Sequence, residues 1–357
     1  MKSNYDILGN HIRLIDTRNR ESITDRVLGI NIDKFFMPSV ANVIGTDLSK
    51  YKLITKGKFA CNPMHVGRDE RLPVALYDEE KPAIVSPAYF MFEVIDNSIL
   101  NEDYLMMWFR RPEFDRICWL HTDGSVRGGI TWDDICRLEL PIPPIENQLE
   151  IVNSYKAITE RIALKQKIND NLDVTAQTLY QKYFESNSDK SSWKQGTVGD
   201  VLQLQRGHDL PRTEMTGGKY PVAGSTGTIG YHDEFTAEAP VIVMGRSGNI
   251  GNPRLYLCNC WTHNTSLYVK QIYEAEPLWV FYLLKNLNYD GFVGGSAVPT
   301  LNRNDVHAYG IAIPPLELQK SFSQKVMSLI YCKEENLSEI EKLQELQKII
   351  LTTMSSR

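Results

Sequence analysis

Apolar residues recur at intervals of three and four positions along a long central stretch of the chain. They occupy two positions of a heptad, at Ile151, Tyr155, Ile158, Leu172, Leu179 and Tyr183. This spacing is typical of the seam of a coiled coil, where one stripe of a helix packs against a partner helix. It predicts a single helix from about Ile145 to Phe184, which spans ~58 Å at the usual helical rise.

A second stretch, later in the chain, repeats this pattern at an offset of 171 residues. Its apolar positions are Phe322, Val326, Leu329, Leu343, Ile350 and Met354. They predict a second long helix from about Leu316 to near the C-terminus. Because two rods with matching seams most simply pack against each other, we expect an antiparallel pair with one globular segment at each end.

Both predicted helices begin in similar segments, PIPPIENQLE and AIPPLELQKS. The shared residues are Pro143, Pro144, Glu146 and Gln148 in the first copy and Pro314, Pro315, Glu317 and Gln319 in the second. Proline is tolerated at the first turn of a helix but not in its interior. The glutamate that follows lies where the helix dipole favours negative charge. Each copy therefore predicts an extended segment, a proline stop and then a helix.

Polar residues interrupt both seams. They are Lys165 and Asn169 in the first helix and Lys333, Asn336 and Gln347 in the second. Lys165 and Asn336 occupy equivalent positions of the repeat. Such residues either fix the register of a coiled coil at some loss of stability, or lie on the solvated face of an ordinary helix.

The chain outside the two helices has a different pattern, with short apolar segments separated by Gly, Pro and Asn turns. Residues 1–140 (head one) and 191–312 (head two) each predict short strands and one helix, NEDYLMMWFRR and EPLWVFYLLKNL. The helical segments are 141–190 and 313–357. We therefore predict an α/β (α+β) fold class, with two globular domains of similar fold, two long helices forming an antiparallel coiled coil, and a pseudo-twofold internal repeat.

Composition narrows the classes of protein. The net charge is −5, no run of about 18 apolar residues could span a membrane, and the first residues lack the apolar core of a signal peptide. Six scattered cysteines fit reduced thiols, so we expect a cytoplasmic protein. The segment CNCWTH offers Cys258, Cys260 and His263, but no fourth ligand stands at zinc-like spacing, and we expect no metal site.

With these motifs, the chain resembles the specificity subunit of type I restriction–modification systems over its whole length. The resemblance rests on IPPIENQ and IPPLELQ before the long helices, on GSVRGGITWDDI and GSAVPTLNRNDV ahead of them, and on TVGDVLQLQRG in head two. In that family each head is a target recognition domain and the helices are conserved spacer regions. Asn147 and Leu318 stand directly before the glutamine, where the family commonly has Glu.

The resemblance implies a function. Each head would recognise one half of an asymmetric, bipartite target in double-stranded DNA. The helices, with their seam and their proline–glutamine segments, would set the gap between the halves and dock two methyltransferase (modification) subunits, which restriction/translocation subunits then join. S-adenosylmethionine, ATP and magnesium would belong to those partners, so we expect no cofactor in this chain.

Catalytic motifs are missing from the sequence. There is no P-loop and no Asn/Asp-Pro-Pro-aromatic segment of an adenine methyltransferase. The segment MGRSGNIG lacks the spacing and the following helix of a dinucleotide site, and it is more typical of a strand turn or of a loop close to a DNA backbone. We therefore expect a non-catalytic subunit.

Candidate DNA-contacting residues follow from chemistry, because Arg pairs with guanine, Asn with adenine, and Arg, hydroxyl and amide groups with phosphate. In head one they are Arg13, Arg18, Arg20, Arg68, Arg71, Ser125 and Arg127. In head two they are Arg206, Arg212, Arg246, Asn249, Arg254, Asn264, Ser296, Thr300, Asn302 and Arg303. His208 and His263 are expected to satisfy local hydrogen bonds.

Two alternatives stay open at this point. Each head holds slightly more Asp and Glu than Lys and Arg, so the isolated chain should bind DNA weakly and partners should supply much of the affinity. The same acidic balance allows a scaffold whose two heads bind proteins. A self-contained restriction or methylation enzyme is the other alternative, and the missing motifs argue against it.

Overall fold

The computed structural model of the chain describes residues 5–40, 45–64, 66–122, 128–289, 292–294 and 300–354. The chain divides into two compact units, Met1–Leu164 with Glu339–Arg357 (unit 1) and Lys165–Ser338 (unit 2). Each unit therefore combines one predicted head with parts of both long helices.

The structure contains the two predicted long helices and the predicted helix of each head, but each head also has further short helices that the sequence pattern did not predict. The helices are α1 (Val66–Asp69), α2 (Glu102–Phe109), α3 (Pro112–Leu120), α4 (Trp132–Cys136), α5 (Ile145–Tyr180), α6 (Pro277–Asn286), α7 (Arg303–His307) and α8 (Leu316–Thr353). Helix α5 continues into a π-helical turn, Gln181–Glu185. Both predicted long helices are thus confirmed, each beginning directly after its proline pair. No described helix is long and apolar enough to cross a membrane.

Head one contains two four-stranded sheets. Its strands are β1 (Tyr5–Ile7), β2 (Ile12–Leu14), β3 (Val27–Ile30), β4 (Phe36–Pro38), β5 (Lys52–Ile54), β6 (Lys58–Cys61), β7 (Val74–Tyr77), β8 (Ala83–Val85), β9 (Phe90–Val94) and β10 (Glu139–Pro141). The strand orders are β2-β9-β6-β7 and β4-β3-β8-β5, and β1 pairs separately with β10. All pairs are antiparallel except β3 with β8.

Head two repeats this topology. Its strands are β11 (Lys194–Thr197), β12 (Leu202–Arg206), β13 (Tyr220–Gly224), β14 (Gly227–His232), β15 (Val241–Gly245), β16 (Gly251–Tyr256), β17 (Trp261–Thr262), β18 (Ser266–Ile272), β19 (Val293–Gly294), β20 (Thr300–Leu301) and β21 (Gly310–Ile313). The order β12-β18-β15-β16 matches β2-β9-β6-β7, and β14-β13-β17 matches β4-β3-β8, again with one parallel pair. Helices α4 and α7 are offset by the same 171 residues as the proline pairs. The prediction of two heads of similar fold is therefore confirmed.

Each head core also contains the ends of the long helices. In unit 1, Val152 of α5 and Met354 after α8 join the cluster around Phe59 and Phe92, whose rings stack 5.0 Å apart. In unit 2, Phe184 and Phe322 join the corresponding cluster, with ring centroids 5.1 Å apart. Burial of large apolar and aromatic side chains, each contributing about 1.5–3 kcal/mol, holds head and helix together within each unit.

The helix segments run antiparallel within each unit. In unit 1, Arg161 Nε donates to Glu339 Oε1 at 2.7 Å and Gln347 Nε2 donates to Thr159 Oγ1 at 2.7 Å. In unit 2, Lys333 Nζ lies 2.6 Å from Asp173 Oδ2. The heptad position that holds Tyr155 and Tyr183 is occupied between them by three further residues. These are Ile162, Asn169 and Ala176, and all three are buried. The predicted seam and its antiparallel pairing are confirmed.

The polar interruption of the seam forms a hydrogen-bonded group in unit 2. Lys165 Nζ donates to Asn336 Oδ1 at 2.8 Å, and Asn336 Nδ2 donates to Asn169 Oδ1 at 2.9 Å. Both asparagines are buried. A one-residue slip of either helix would leave these amides unpaired inside an apolar seam, so the group favours one register. Of the two interpretations of Lys165 and Asn336, this geometry supports the register role.

Candidate nucleic-acid interface

Equivalent hairpin loops carry candidate residues in both heads. The loop 62–73 joins β6 to β7, and the loop 246–250 joins the corresponding strands β15 and β16. In each head, the segment before the long helix bonds to this loop. Ile130 N donates to Pro63 O at 3.2 Å, and Leu301 N donates to Arg246 O at 2.8 Å. Ile130 and Leu301 are equivalent in the repeat. Each head therefore joins its hairpin loop to the segment before its long helix in the same way, although the residues of the two loops differ.

The loop 246–250 of head two folds tightly on itself. A Cβ atom on Gly245 would lie 1.5 Å from the carbonyl oxygen of Asn249, so only glycine fits there. Gly248 has φ +77° and Gly251 φ +72°, the left-handed region that favours glycine. The glycines of MGRSGNIG are thereby explained by the turn itself. A close approach of this loop to a DNA backbone stays a prediction.

Four candidate residues of head two are brought together beside this loop. Arg246 NH1 donates to Asn264 O at 3.4 Å, and Asn249 Nδ2 donates to Ser225 O at 3.1 Å. The amide of Asn264 donates to Asp209 Oδ1, and Arg206 lies 3.5 Å from the same carboxylate. These contacts gather Arg206, Arg246, Asn249 and Asn264 into one loop cluster.

The side chain of His263 and the backbone of His208 position this cluster. His263 Nε2 donates to Leu210 O at 3.2 Å, and its Nδ1 lies 2.9 Å from Thr265 Oγ1. Ser225 N donates to the same hydroxyl at 3.3 Å. The backbone N–H of His208 donates to Thr262 O at 2.7 Å. The expectation that His263 satisfies local hydrogen bonds is confirmed, since its ring connects the turn after β12 to the turn before β18.

Arg254, Thr300, Asn302 and Arg303 occupy other parts of head two. Arg254 lies on β16, and its guanidinium group packs against Gly227. A Cβ atom added to Gly227 would stand 3.3 Å from the guanidinium carbon of Arg254. Thr300 begins β20. Asn302 is the N-cap of α7, its side chain accepting from Asn304 N at 3.0 Å, and Arg303 is the first residue of that helix. Asn302 thus has a capping role that the sequence pattern did not predict.

The candidate arginines of head one are held separately by carboxylates. Arg13 Nε donates to Glu93 at 2.7 Å, Arg18 to Asp16 at 2.9 Å, and Arg71 to Asp33 at 2.7 Å. The three carboxylates are different residues, so no shared partner connects these arginines within the described ranges. Arg20 is exposed. The structure therefore does not gather them into a cluster like that of head two.

Several candidates cannot be placed by their side chains. Ser125, Arg127 and Ser296 lie outside the described residues. Arg68 belongs to α1, but its side chain is also outside the described part. These residues stay predictions of the sequence pattern.

A buried ion pair supports the hairpin loop of head one. Lys34 Nζ donates to Asp115 Oδ1 at 2.5 Å and to Leu72 O at 3.2 Å, while Leu72 N donates to the same carboxylate at 3.1 Å. Burial lowers the pKa of Lys34, and the neighbouring Asp115 opposes that shift. The pair fixes Leu72, and with it the loop 62–73, to α3. The sequence contained no periodic or motif signal for this contact.

The glutamines of the repeated segment are structural clamps between head and helix. Gln148 Oε1 accepts from Asn101 N at 2.9 Å, and its Nε2 donates to Ile99 O and Pro143 O, both at 2.8 Å. Gln319 Oε1 accepts from Glu276 N at 2.9 Å and its Nε2 donates to Pro314 O at 2.9 Å. Their side chains are 0% and 1% exposed. Each glutamine thus caps the first turn of the head helix α2 or α6 from its own long helix.

The histidine at the end of α7 gives a pH prediction. His307 Nε2 accepts from Leu204 N at 2.8 Å, and burial, with a smaller contribution from Arg303, lowers the pKa of His307 below its usual 6.5. Because the unfolded chain then binds the proton more readily, unit 2 should lose stability as the pH falls below about 6.5. We expect the unfolding midpoint to drop between pH 7 and pH 5 and to drop less in His307→Gln, which retains an acceptor. Equal pH dependence in both proteins would contradict this.

No group of three His, Cys, Asp or Glu side chains suited to a metal occurs within the described ranges. Cys258 is exposed, whereas Cys260 is buried. Burial raises the pKa of the Cys260 thiol to about 12, so it is not a ready thiolate ligand.

Known proteins with similar sequences are type I restriction enzyme specificity subunits. Residues 190–349 match the family model described as the type I restriction modification DNA specificity domain. The chain is similar to the putative type I restriction enzyme MjaX specificity subunit of Methanocaldococcus jannaschii, with 22% identity over 98% of the chain and 88% of that protein. It is also similar to the EcoprrI specificity subunit of Escherichia coli, with 20% identity over 57% of the chain and 55% of that protein.

The fold has a counterpart among solved structures. The type I restriction–modification S subunit from M. genitalium superposes with a TM-score of 0.62 and 17% identity, covering 98% of this chain and 95% of that one. This likeness supports the α/β fold with two long helices. Together, the matched family model and the relatives show that the chain is similar to type I restriction–modification specificity subunits, with the family model confined to residues 190–349.

Proposed function

We propose that this chain is the DNA sequence-recognition subunit of a type I restriction–modification complex. Each head recognises one half of an asymmetric, bipartite target in double-stranded DNA. The observation that carries the proposal is the repeated head topology, with equivalent hairpin loops built from different residues. Two heads of one fold and unlike loop chemistry suit two different half-sites, because base contacts rather than phosphate contacts distinguish sequences.

The long helices set the gap and dock two methyltransferase subunits. Their outer faces expose apolar side chains in both units, namely Leu149, Leu164, Leu346 and Ile349 in unit 1 and Val174, Tyr331 and Leu337 in unit 2. Exposed apolar side chains on an otherwise polar helix support a protein interface there. These side chains do not occupy equivalent positions of the repeat, so two copies of one partner would contact different residues on the two helices. Restriction/translocation subunits join that core.

Catalysis and cofactors belong to the partners in this proposal. S-adenosylmethionine would be held by the methyltransferase subunits, and ATP and magnesium by the restriction subunits. The acidic balance of both heads supports weak binding of DNA by the isolated chain. A protein-binding scaffold with two heads is the alternative that the same balance allows.

Modified-base sequencing of the host genome, with and without this gene, tests the proposal. We expect methylation at one gapped, asymmetric motif to disappear when the gene is removed and to return when it is restored. If the genome keeps every modified motif, an assay of DNA binding by the chain with its methyltransferase subunit separates the outcomes. Sequence-specific binding there would indicate a silent system, whereas binding of a protein without DNA would favour the scaffold.

A further inference from the structure

A cavity of about 430 Å³ lies beside the loop cluster of head two. Asp209, Arg212, Ser225, Asn264 and Thr265 are among its lining residues. The cavity belongs to unit 2 and is lined by the turns that follow β12, β13 and β17 and by Ile229 of β14.

The cavity is preorganised by hydrogen bonds among its own lining. The ring of His263 holds Leu210 O on one side and Thr265 Oγ1 on the other, and Ser225 N donates to that same hydroxyl. These bonds connect three separate turns before any ligand arrives. A site ordered in advance loses less conformational entropy on binding than a flexible loop does.

The carboxylate of Asp209 is unusual for a surface that faces DNA. Its side chain is 75% exposed, although Arg206 and Asn264 contact it. A carboxylate near phosphates is repelled, whereas against a base edge it accepts from the N4 amino group of cytosine. Because both recorded contacts are made to Oδ1, Oδ2 can accept such a bond. Asp209 is absent from the sequence-based candidates, although it lies between two of them in QRGHDLPR.

Arg212, which lines the cavity, differs from the arginines of the loop cluster. Arg206 faces Asp209, and Arg246 donates to Asn264 O. The guanidinium of Arg212 has no hydrogen bond or ion pair with any residue in the described ranges, and its residue is exposed at the cavity. Its five donors are therefore available to an external acceptor, and the pair of acceptors that matches them on a base is O6 and N7 of guanine.

We propose that Arg212 and Asp209 are specificity-determining residues of head two and together recognise one G·C base pair. Arg212 donates to guanine and Asp209 accepts from cytosine in the major groove. This inference rests on the proposed function and adds to it a base pair for one half-site. Arg206, Asn264 and His263 are positioning residues, since they hold the Asp209 turn and the facing turn in place.

The test uses the whole chain with its methyltransferase subunit and a DNA library randomised at each position of the target. Arg212→Lys and Arg212→Ala should reduce the preference for G·C at one position of one half-site by roughly 10- to 100-fold, with the other half unchanged. Asp209→Ala should relax the same position. Lys270→Ala removes an exposed cation from β18 and is the matched control, with no expected change.

The outcomes separate this inference from the proposed function. If the wild-type complex methylates no specific motif, the proposed function fails. If it does, and Arg212→Lys keeps the original preference at every position, the inference is wrong. A uniform loss on all sequences would also overturn it, because that result indicates a phosphate contact. Thermal unfolding of each variant should match the wild type, since both side chains are exposed.

Discussion

Removing one facing heptad from each long helix should shorten the gap between the two recognised half-sites and leave both half-site sequences unchanged. Residues 157–163 and 341–347 are the matched segments, because Gln347 faces Thr159 and Arg161 faces Glu339. Seven helical residues span ~10.5 Å, or up to about three base pairs. The measurement is modified-base sequencing of cells that carry the shortened protein.

A heptad is chosen because of its rotation as well as its length. Seven residues turn a helix by nearly two full turns, with a drift of only ~20°, so each seam stays in contact with its partner. The deletion also spares Lys165, Asn169 and Asn336, which form the register-fixing group. Deletion of three residues from one helix alone is the control, and it should abolish methylation because it breaks the seam. Altered half-site sequences at an unchanged gap would show that the helices do not act as the spacer.

Gln148→Leu should lower the free energy of unfolding of unit 1 by about 3 kcal/mol or more. Leucine has a similar volume but leaves Asn101 N, Ile99 O and Pro143 O without the partner they have now. A buried polar group that loses its hydrogen bond costs about 1–3 kcal/mol, and because these three contacts are partly buried we expect about 1 kcal/mol for each. Urea unfolding followed by hydrogen exchange in unit 1 measures the loss.

Two matched variants should rank below Gln148→Leu in their loss of unfolding free energy. Gln319→Leu should cost less, because it releases two backbone groups, Glu276 N and Pro314 O, rather than three. Gln166→Leu changes an exposed glutamine of the same helix α5 and should stay within about 0.5 kcal/mol of the wild type. If Gln148→Leu were as mild as Gln166→Leu, the glutamine would not clamp head to helix.

These clamps change the interpretation of the repeated segment. A glutamine followed by a helix could face a partner protein, and the sequence allowed that role. In the structure its amide is buried against the head helix in both units. The segment therefore recurs because each glutamine attaches its long helix to the residue before the head helix and to a carbonyl of the proline pair.

Local regularity explains what the sequence predicted correctly. The heptad spacing of Ile151, Ile158 and their equivalents specifies a helix and its buried stripe, since both depend on residues three and four positions apart. The proline pairs mark both helix starts for the same local reason. The offset of 171 residues relates α4 to α7 and one glutamine clamp to the other, so the repeat also predicted two heads of similar fold.

The candidate site depended on contacts that no local pattern records. Arg13 and Arg71 had the same expectation as Arg212, yet the fold pairs these two with carboxylates that are distant in sequence. Asp209 joins Arg206 because they share one turn, but it meets Asn264 only because β12 and β18 are neighbours in the sheet.

The sequence by itself determined the two long helices, their antiparallel seam and the duplication of the heads, because each follows from periodicity, proline position and an internal repeat. Only the tertiary structure decided which polar side chains are available to a ligand. A hydrogen bond or ion pair between residues far apart in sequence depends on strand order and loop packing. Those long-range contacts hold candidates such as Arg13, Arg71 and Asn249 within the protein, whereas Arg212 lies beside an ordered cavity.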